Sequence, residues 1–408
     1  MNVVLLAEEF GGETLSPSGI WLRDLAGRWA ARGHHIAVVC PDDHQAGPAE
    51  IRREPAGVIV FRPTPDQLEE ALAQALSSEP DVVHVASPGP FGSRVLEALR
   101  DLPLLVDVHD FWPICPNRDL IRRPHLEPCD EHFPFLGCGP CAGLQRLRHM
   151  DERAQLAASA RMVLTHSSFS RMRLRAGLGR KVELLGYGVD TSRFRPTRPP
   201  PPRSPTVRTW YETPDRPRVL FLGQPTAARG AGLLADLLVA LHARVPDVEL
   251  VIAGRDPDHP DWEEIFHTEI RELGLTEHAV LLPAVPSEDL PALYHACLVA
   301  ISPGFGYETN GLFLLHALAA GVPIVAHPAD GIDEWVHPGV EGVLVTMAEI
   351  GAFADAVAAL LADPIARMTF GEAGRLSALE HHDFERSVVE LETLYRKLRA
   401  TPDRSAAA

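Results

Sequence analysis

The sequence predicts an α/β protein of two doubly wound, parallel-sheet domains, and three observations carry that reading. Short runs rich in Val, Ile and Leu alternate with amphipathic helical stretches along the chain, which is the pattern of strand–helix–strand units. The runs are apolar on both faces, as strands covered by helices on either side must be. A proline-dense stretch, TRPPPPRSPTVRTWYETPDRP over 197–217, divides the series in two, and 408 residues suffice for two cores.

The first strand, Val3 to Leu6, runs directly into Glu8 and Glu9 without a basic leader, so it reads as a buried strand and not as a signal peptide. The helix after it has Pro17 near its start, Trp21, Leu25 and Trp29 at four-residue spacing on its inward face, and Gly33 as its stop. Further strands of the first domain fall near His35–Val39, Val58–Phe61, Val82–Val85, Leu104–Asp107, Met162–Thr165 and Val182–Leu185. The 197–217 stretch has no periodicity, can neither extend a helix nor join a central strand, and is read as the linker. The second series has strands near Val219–Leu222, Leu250–Ala253, Val280–Leu282, Leu298–Ile301 and Ile324–Ala326. A last helix, Phe384–Arg399, closes the chain, and 401–408 is expected to fray. The domains are therefore 1–196, with a cysteine-rich insertion at about 112–143, and 218–380, followed by a helix over 381–400.

Composition narrows the function. With 38 basic and 55 acidic residues the formal charge is −17 and the sequence pI is about 5.5, which argues against nucleic acid or anionic lipid as a partner. No apolar run approaches the eighteen or so residues of a membrane span. A soluble, cytoplasmic protein without a transmembrane segment is expected, and in that compartment its six cysteines are poor candidates for disulfides. Neither G-x-G-x-x-G nor G-x-x-x-x-G-K-[ST] occurs, so dinucleotide and P-loop readings lose their main support. Ligands of doubly wound sheets lie beyond the carboxyl ends of the strands, and with two such sheets the expected site is the cleft between them.

The most informative stretch is Ser302 to Ala326, SPGFGYETNGLFLLHALAAGVPIVA. It reads as a strand end, a glycine-rich loop, a helix opened by Asn310 as N-cap and Gly311, and another strand. Free amides at such a helix start make an anion site. This segment resembles the donor-site signature of family 4 retaining glycosyltransferases, in which an E-x7-E element precedes a small-residue helix end and a G-x-P-V-V-like strand. Glu308 falls on the first glutamate, and Gly311 on the last glycine of the loop. The resemblance extends over nearly the whole chain. Leu222 to Gly230, LGQPTAARG, resembles the phosphate-binding loop and includes Gly223 and Gln224; Val285 to Tyr294 resembles the short helix beside the nucleobase pocket. It implies the GT-B fold, with Glu308 at the donor sugar, Arg229 at the diphosphate, residues near Ala284 at the base, and Asn310, Gly311 and Leu312 at the helix start. Two positions depart from the family: Gln224 stands where arginine is usual, and His316 where the second glutamate is usual. His316 either holds a ribose hydroxyl or is a half-buried helix residue, and Arg229 either meets phosphate or is a surface arginine. Asp256-Pro257-Asp258 imitates a D-x-D metal triplet but reads as an exposed loop.

In the first domain Gly11 to Leu25 resembles the family's glycine loop, with Ser18 and Gly19 near the donor phosphates. Leu104 to Pro116, LLVDVHDFWPICP, ends a strand in His109 and Asp110. The resemblance implies that His109 hydrogen-bonds the transferred sugar, and that Ser167 and Gly188 to Asp190 face the same cleft. The function so implied is transfer of a hexose-type sugar from a nucleotide-diphosphate donor, UDP- or GDP-sugar, with retention and without a metal or other cofactor in the chemistry. The acceptor is a small molecule, a glycan or a natural product. The alternative is a non-catalytic GT-B homologue acting as a binding or scaffold partner, suggested by Gln224 and His316. A phosphorylase would want a lysine for pyridoxal phosphate, and the two lysines, Lys181 and Lys397, sit in unsuitable places.

Cys115, Cys129, Cys138 and Cys141 are spaced C-x13-C-x8-C-x2-C. They either bind a structural zinc or stay free thiols, while Cys40 and Cys297 read as core thiols. The insertion, read as helix-poor, carries Trp112, Asn117, Arg118, Arg122 and Arg123 to the acceptor side, where the arginines would select an anionic or highly hydroxylated acceptor.

Overall fold

The computed structural model describes residues 1–10, 17–41, 50–53, 57–87, 98–99, 102–123, 127–132, 136–213, 215–256, 259–282, 285–309 and 311–400. Contacts group the chain into two units, one of Met1–Gly11, Pro17–Gly186 and Arg386–Ala408, the other built on Tyr187–Glu385.

The first unit is an eight-stranded sheet in the order Glu183–Leu184, Met162–Thr165, Leu104–Val108, Val82–Val85, Asn2–Leu6, His35–Val39, Ile59–Arg62, Glu50–Arg53. All neighbours are parallel except the last pair, where Ile51 faces Phe61 antiparallel. The first strand is central, Leu5 lying between Val38 and His84, and its apolar run is buried on both faces. Helix Pro17–Ala31 turns Trp21, Leu25 and Trp29 into this core. Helix Phe384–Ala400 packs on the same unit through Val388, Leu391, Tyr395 and Leu398, all fully buried. Glu392 meets Arg32 at 3.6 Å and His34 at 3.3 Å, and Arg399 meets Asp81 at 3.2 Å.

The second unit is a six-stranded parallel sheet ordered Ala279–Leu282, Glu249–Ala253, Arg218–Leu222, Val299–Ser302, Ile324–Ala326, Gly342–Leu344. In order of appearance this is 3-2-1-4-5-6, the Rossmann arrangement. Strand order reverses between Arg218–Leu222 and Val299–Ser302, and the loops leaving those two strands approach each other closely. The Gly306 N–H donates to the Ala228 carbonyl at 2.9 Å, and a Cβ on Gly304 would come within 2.8 Å of the Arg229 Cα.

Several expectations were not met. Strands Glu50–Arg53 and Gly342–Leu344 and the small hairpin Ile121–Arg122/Glu127–Pro128 were not anticipated. All are short or at an edge, where no apolar run is needed. Inside the proline-dense stretch lies a helix, Pro205–Tyr211. Pro205 sits in its first turn, where no amide hydrogen is required, and Trp210 is buried with its indole N–H donating to Glu249 at 2.8 Å. The insertion also holds a helical segment, Cys138–Leu147, broken at Gly143. Asp256, expected to be exposed, is 5% exposed; Pro257 and Asp258 lie outside the described residues. Among the described residues no helix is long and apolar enough to cross a membrane.

Candidate functional site

In the second unit the candidate donor residues gather where the strand order reverses. Strand Arg218–Leu222 delivers Gly223 and the half-buried Gln224, and a one-turn helix, Ala227–Arg229, follows with Thr226 accepting the Arg229 amide at 3.3 Å. The loop after strand Val299–Ser302, the neighbour of Arg218–Leu222 in the sheet, carries Glu308. It is no solvated loop carboxylate: it is 9% exposed, and its Oε1 accepts the Gly311 amide hydrogen at 3.0 Å. That bond satisfies one of the donors left open at the start of helix Leu312–Ala320, every residue of which is buried. Gly311 has φ +59°, and a Cβ there would run into the Trp335 indole. The half-exposed Arg229 guanidinium lies 3.9 Å from the other Glu308 oxygen. A carboxylate, a guanidinium and a helix start thus share one end of the sheet, a combination suited to a polyhydroxylated ligand carrying phosphate. Asn310 and Ala284 lie outside the described residues, and the N-cap position of the helix is held by Gly311, whose amide donates to Glu308.

His316 lies one turn into the same helix, 3% exposed and stacked on Phe194 with ring centroids 3.9 Å apart and planes 9° apart. Burial, reinforced by the Arg193 charge, pushes its pKa well below the usual imidazole range. Its Nδ1 is buried without a hydrogen-bond partner. Where the family has a glutamate, this chain has a neutral ring sandwiched among aromatics.

In the first unit, His109 follows strand Leu104–Val108, 7% exposed. The residue that organises its surroundings, Asp107, was not singled out from the sequence. Asp107 is completely buried; it faces His166 Nε2 at 2.8 Å, His84 Nε2 at 3.1 Å and His109 Nε2 at 3.4 Å. His84 Nδ1 lies 2.6 Å from the Tyr395 hydroxyl, and His166 Nδ1 lies 2.8 Å from the Leu185 carbonyl. Burial opposes ionisation of Asp107, yet the histidines around it hold its carboxyl well below the usual range. Burial pushes His109 down to about 3, with the Asp107 carboxylate opposing and His166 adding to the shift. His109 is accordingly neutral at physiological pH and poised to share hydrogen bonds rather than carry charge. Asp107, His109 and His166 bring ligand atoms within 4.8 Å of one another. The His109 and His166 rings are stacked 4.7 Å apart and 11° from parallel, and both Nε2 atoms face the Asp107 carboxylate. The signal for this cluster was present in the sequence as histidines within or just after strands, in VVHV and LTHS.

Ser167 caps helix Ser168–Leu178, accepting the Ser170 amide at 3.1 Å, which is a structural employment. Ser18 and Gly19 fall in the first turn of helix Pro17–Ala31. Of the acceptor-side residues, Trp112 is 1% exposed and belongs to the core, while Arg122 is exposed on the small hairpin. Arg118 adopts φ +69° and pairs with Asp110 at 2.8 Å and Glu8 at 3.0 Å. Glu8 also accepts the Ser87 hydroxyl at 2.8 Å. Neither carboxylate partner was anticipated.

The four clustered cysteines line one pocket together with Asn117, Glu131 and His132. Cys115 is 9% exposed, and burial pushes its thiol up to about 11. Cys40 and Cys297 are buried core thiols, and all six cysteines are unbridged.

Two family models match the chain: Glycosyltransferase Family 4 over residues 18–193 and Glycosyl transferases group 1 over 208–377. The GDP-mannose-dependent alpha-(1-6)-phosphatidylinositol monomannoside mannosyltransferase of Mycolicibacterium smegmatis is 34% identical over 235 residues, covering 56% of this chain and 60% of the relative. Alpha-maltose-1-phosphate synthase of the same organism is 30% identical over 228 residues, covering 54% and 58%. The chain therefore spans at most 60% of the length of these two relatives. Among solved structures, sucrose-phosphate synthase from Thermosynechococcus elongatus superposes with a TM-score of 0.73 at 22% identity over 98% of this chain and 99% of that one. Anabaena HepE in complex with UDP and glucose superposes with a TM-score of 0.70 at 20% identity over 97% and 99%. Those likenesses are of fold, the GT-B fold. With one model matched in each half of the chain, the protein belongs to the family 4 glycosyltransferases.

Proposed function

We propose that the protein transfers a hexose-type sugar from a UDP- or GDP-sugar to a hydroxyl of a small-molecule, glycan or natural-product acceptor, with retention and with no metal ion in the chemistry. The observation that carries this reading is the buried Glu308 carboxylate, fixed at the start of helix Leu312–Ala320 and 3.9 Å from Arg229. Relatives named for GDP-mannose, and a structural neighbour solved with UDP, favour those two nucleotides.

In this reading Glu308 receives a hydroxyl of the donor sugar, and Arg229, with the start of helix Leu312–Ala320, meets the diphosphate. As the glycosidic bond to the diphosphate breaks, negative charge builds on the leaving oxygen, where fixed donors of this kind are most effective. That oxygen can take the acceptor's proton on the face the acceptor attacks, so no pair of protein carboxylates is required for retention. His109, neutral over the physiological range, serves as hydrogen-bond partner of the transferred sugar, and Arg118 and Arg122 serve the acceptor. Gln224 cannot supply the charge-assisted bond that an arginine would give. Its substitution costs about 1.5–3 kcal/mol of phosphate binding, which leaves Arg229 the greater share of that task.

The test is thermal denaturation with UDP, GDP, dTDP and ADP and their sugar conjugates on the wild type and on Glu308→Gln, which retains a carbonyl oxygen to accept the Gly311 amide. Ligand at a hundred times its dissociation constant should add about 2.7 kcal/mol of apparent stability. A UDP- or GDP-sugar should stabilise the wild type, and Glu308→Gln should lose the increment due to the sugar while keeping that of the bare nucleotide. Stabilisation by none of the nucleotides would overturn the proposal in favour of a non-catalytic binding role.

A further inference from the structure

Cys115, Cys129, Cys138 and Cys141 come from three separate places: a turn after strand Leu104–Val108, the end of the small hairpin, and the first turn of the segment Cys138–Leu147, which holds the last two. All four nevertheless line one pocket. The Cys141 sulfur accepts two N–H donors, from the Asn117 side chain and the Arg123 backbone, each at 3.3 Å. Two such donors aimed at one sulfur are the surroundings of a thiolate, since a neutral thiol is a weak acceptor, and they are the outer bonds that orient and charge-balance a metal-bound sulfur. The same sulfur lies 3.6 Å from the Ile121 carbonyl, a contact open to the protonated form. The hairpin has only two residues in each strand, and the helical segment is interrupted at Gly143.

We propose that these four cysteines form a closed tetrathiolate zinc site that staples the insertion and fixes the turn carrying Arg118. Four sulfurs leave no open coordination position, so the ion is structural. A zinc–sulfur bond of about 2.3 Å brings tetrahedral sulfurs to within roughly 3.8 Å of one another. Among the described residues the cysteine sulfurs are not gathered in threes within 4.8 Å, so loading contracts the pocket. The Cys138–Cys141 pair closes from the helix start and Cys129 from the hairpin end. Cys115 is the anchor: its amide donates to the Phe111 carbonyl at 2.8 Å, its carbonyl accepts the Arg118 amide at 3.1 Å, and the Phe111 amide donates to the Arg118 carbonyl at 3.0 Å. Fixing the Cys115 sulfur therefore holds the turn in which Arg118 keeps its left-handed backbone and its bonds to Asp110 and Glu8. Four protons leave the thiols as the ion enters, which makes loading pH-dependent.

The experiment is elemental analysis and native mass spectrometry of the full chain, produced without a metal-binding tag and purified without chelator, followed by hydrogen–deuterium exchange before and after stripping. About one zinc per chain is expected. The double variant Cys138→Ser/Cys141→Ser should carry none, and Cys40→Ser should keep its zinc. Stripping the wild type with a chelator and a thiol-reactive mercurial, then removing the mercurial with dithiothreitol, should raise exchange across 111–123 and leave strand Arg218–Leu222 unchanged; added zinc should restore protection. Because that comparison uses the unmutated chain, a variant that fails to fold does not decide the matter. Metal-free protein with four rapidly titrating thiols would overturn the proposal. A mass two units lower for each disulfide, or zinc retained in the double variant, would overturn it equally.

Discussion

His109 lies among groups that decide its charge: Asp107 beside it, His166 stacked on it, and His84 and Arg118 farther off. In the folded protein its pKa is depressed to about 3, whereas an unfolded histidine titrates near 6.5. The unfolded chain therefore binds an additional proton between these values, and folding stability must fall as pH is lowered through that window. The contribution is complete above about 6.5 and diminishes by at most about 1.4 kcal/mol per pH unit below it. Asp107, held below its usual range, adds a loss only at still lower pH, because its stabilisation is present above its unfolded pKa and disappears as pH falls through the folded one. Melting temperatures between pH 7 and pH 4 should therefore decline in the wild type and decline less steeply in His109→Gln. Parallel slopes for the two proteins would assign the proton uptake to other groups. The salt bridges of Arg118, with both partners partly exposed, are worth at most about 1 kcal/mol each, so their breakage should show in ligand binding more than in melting.

Helix Leu312–Ala320 is the element on which the donor proposal turns, and its entrance depends on backbone shape. Gly311 has φ +59° and no room for a Cβ beside Trp335, whereas Gly339 has φ +79° with open space around it. Gly311→Ala combines left-handed strain of about 1–2 kcal/mol with a collision, and Gly339→Ala carries the strain alone. Gly311→Ala should be the more destabilising by at least about 1 kcal/mol and should abolish nucleotide-dependent stabilisation; equal losses would mean that Trp335 yields freely. This helix and the strands flanking it were legible in the sequence because continuous apolar runs and a glycine-rich loop are local signals. The strands Glu50–Arg53 and Gly342–Leu344 were not, since an edge strand needs no apolar run and is specified by its neighbour. The candidate site divides in the same way. Glu308 and His109 follow strands and could be found by position, whereas the Asp107–His84–His166 cluster and the Glu8–Arg118 pair join residues 23 to 110 positions apart, a pairing that periodicity cannot reveal. Pro205–Tyr211 was hidden by composition, because proline in a first turn looks the same in sequence as proline in a linker.

At the scale of the whole molecule the chain leaves the first unit after Gly186 and returns to it at Arg386, so the fold of that unit is completed by residues that follow the second unit in sequence. Helix Phe384–Ala400 contributes the Tyr395 hydroxyl that meets His84 in the Asp107 cluster, and the Tyr395 ring lies 4.7 Å from Trp29. Burial of Val388, Leu391, Tyr395 and Leu398 contributes about 1.5–3 kcal/mol each, a large share of the stability of an ordinary domain. Removing residues 386–408 should therefore unfold or loosen the first unit while the second, whose sheet Ala279 to Leu344 contains none of those residues, keeps its own core. Hydrogen–deuterium exchange of the truncated chain gives the contrast directly. Protection should collapse in Asn2–Leu6 and Val82–Val85 and persist in Arg218–Leu222 and Glu249–Ala253, with Tyr395→Phe reproducing a milder version confined to the strands around His84. Uniform loss in both sheets would show that the two units fold as one cooperative body. Uniform retention would show that the first unit is stable without its closing helix.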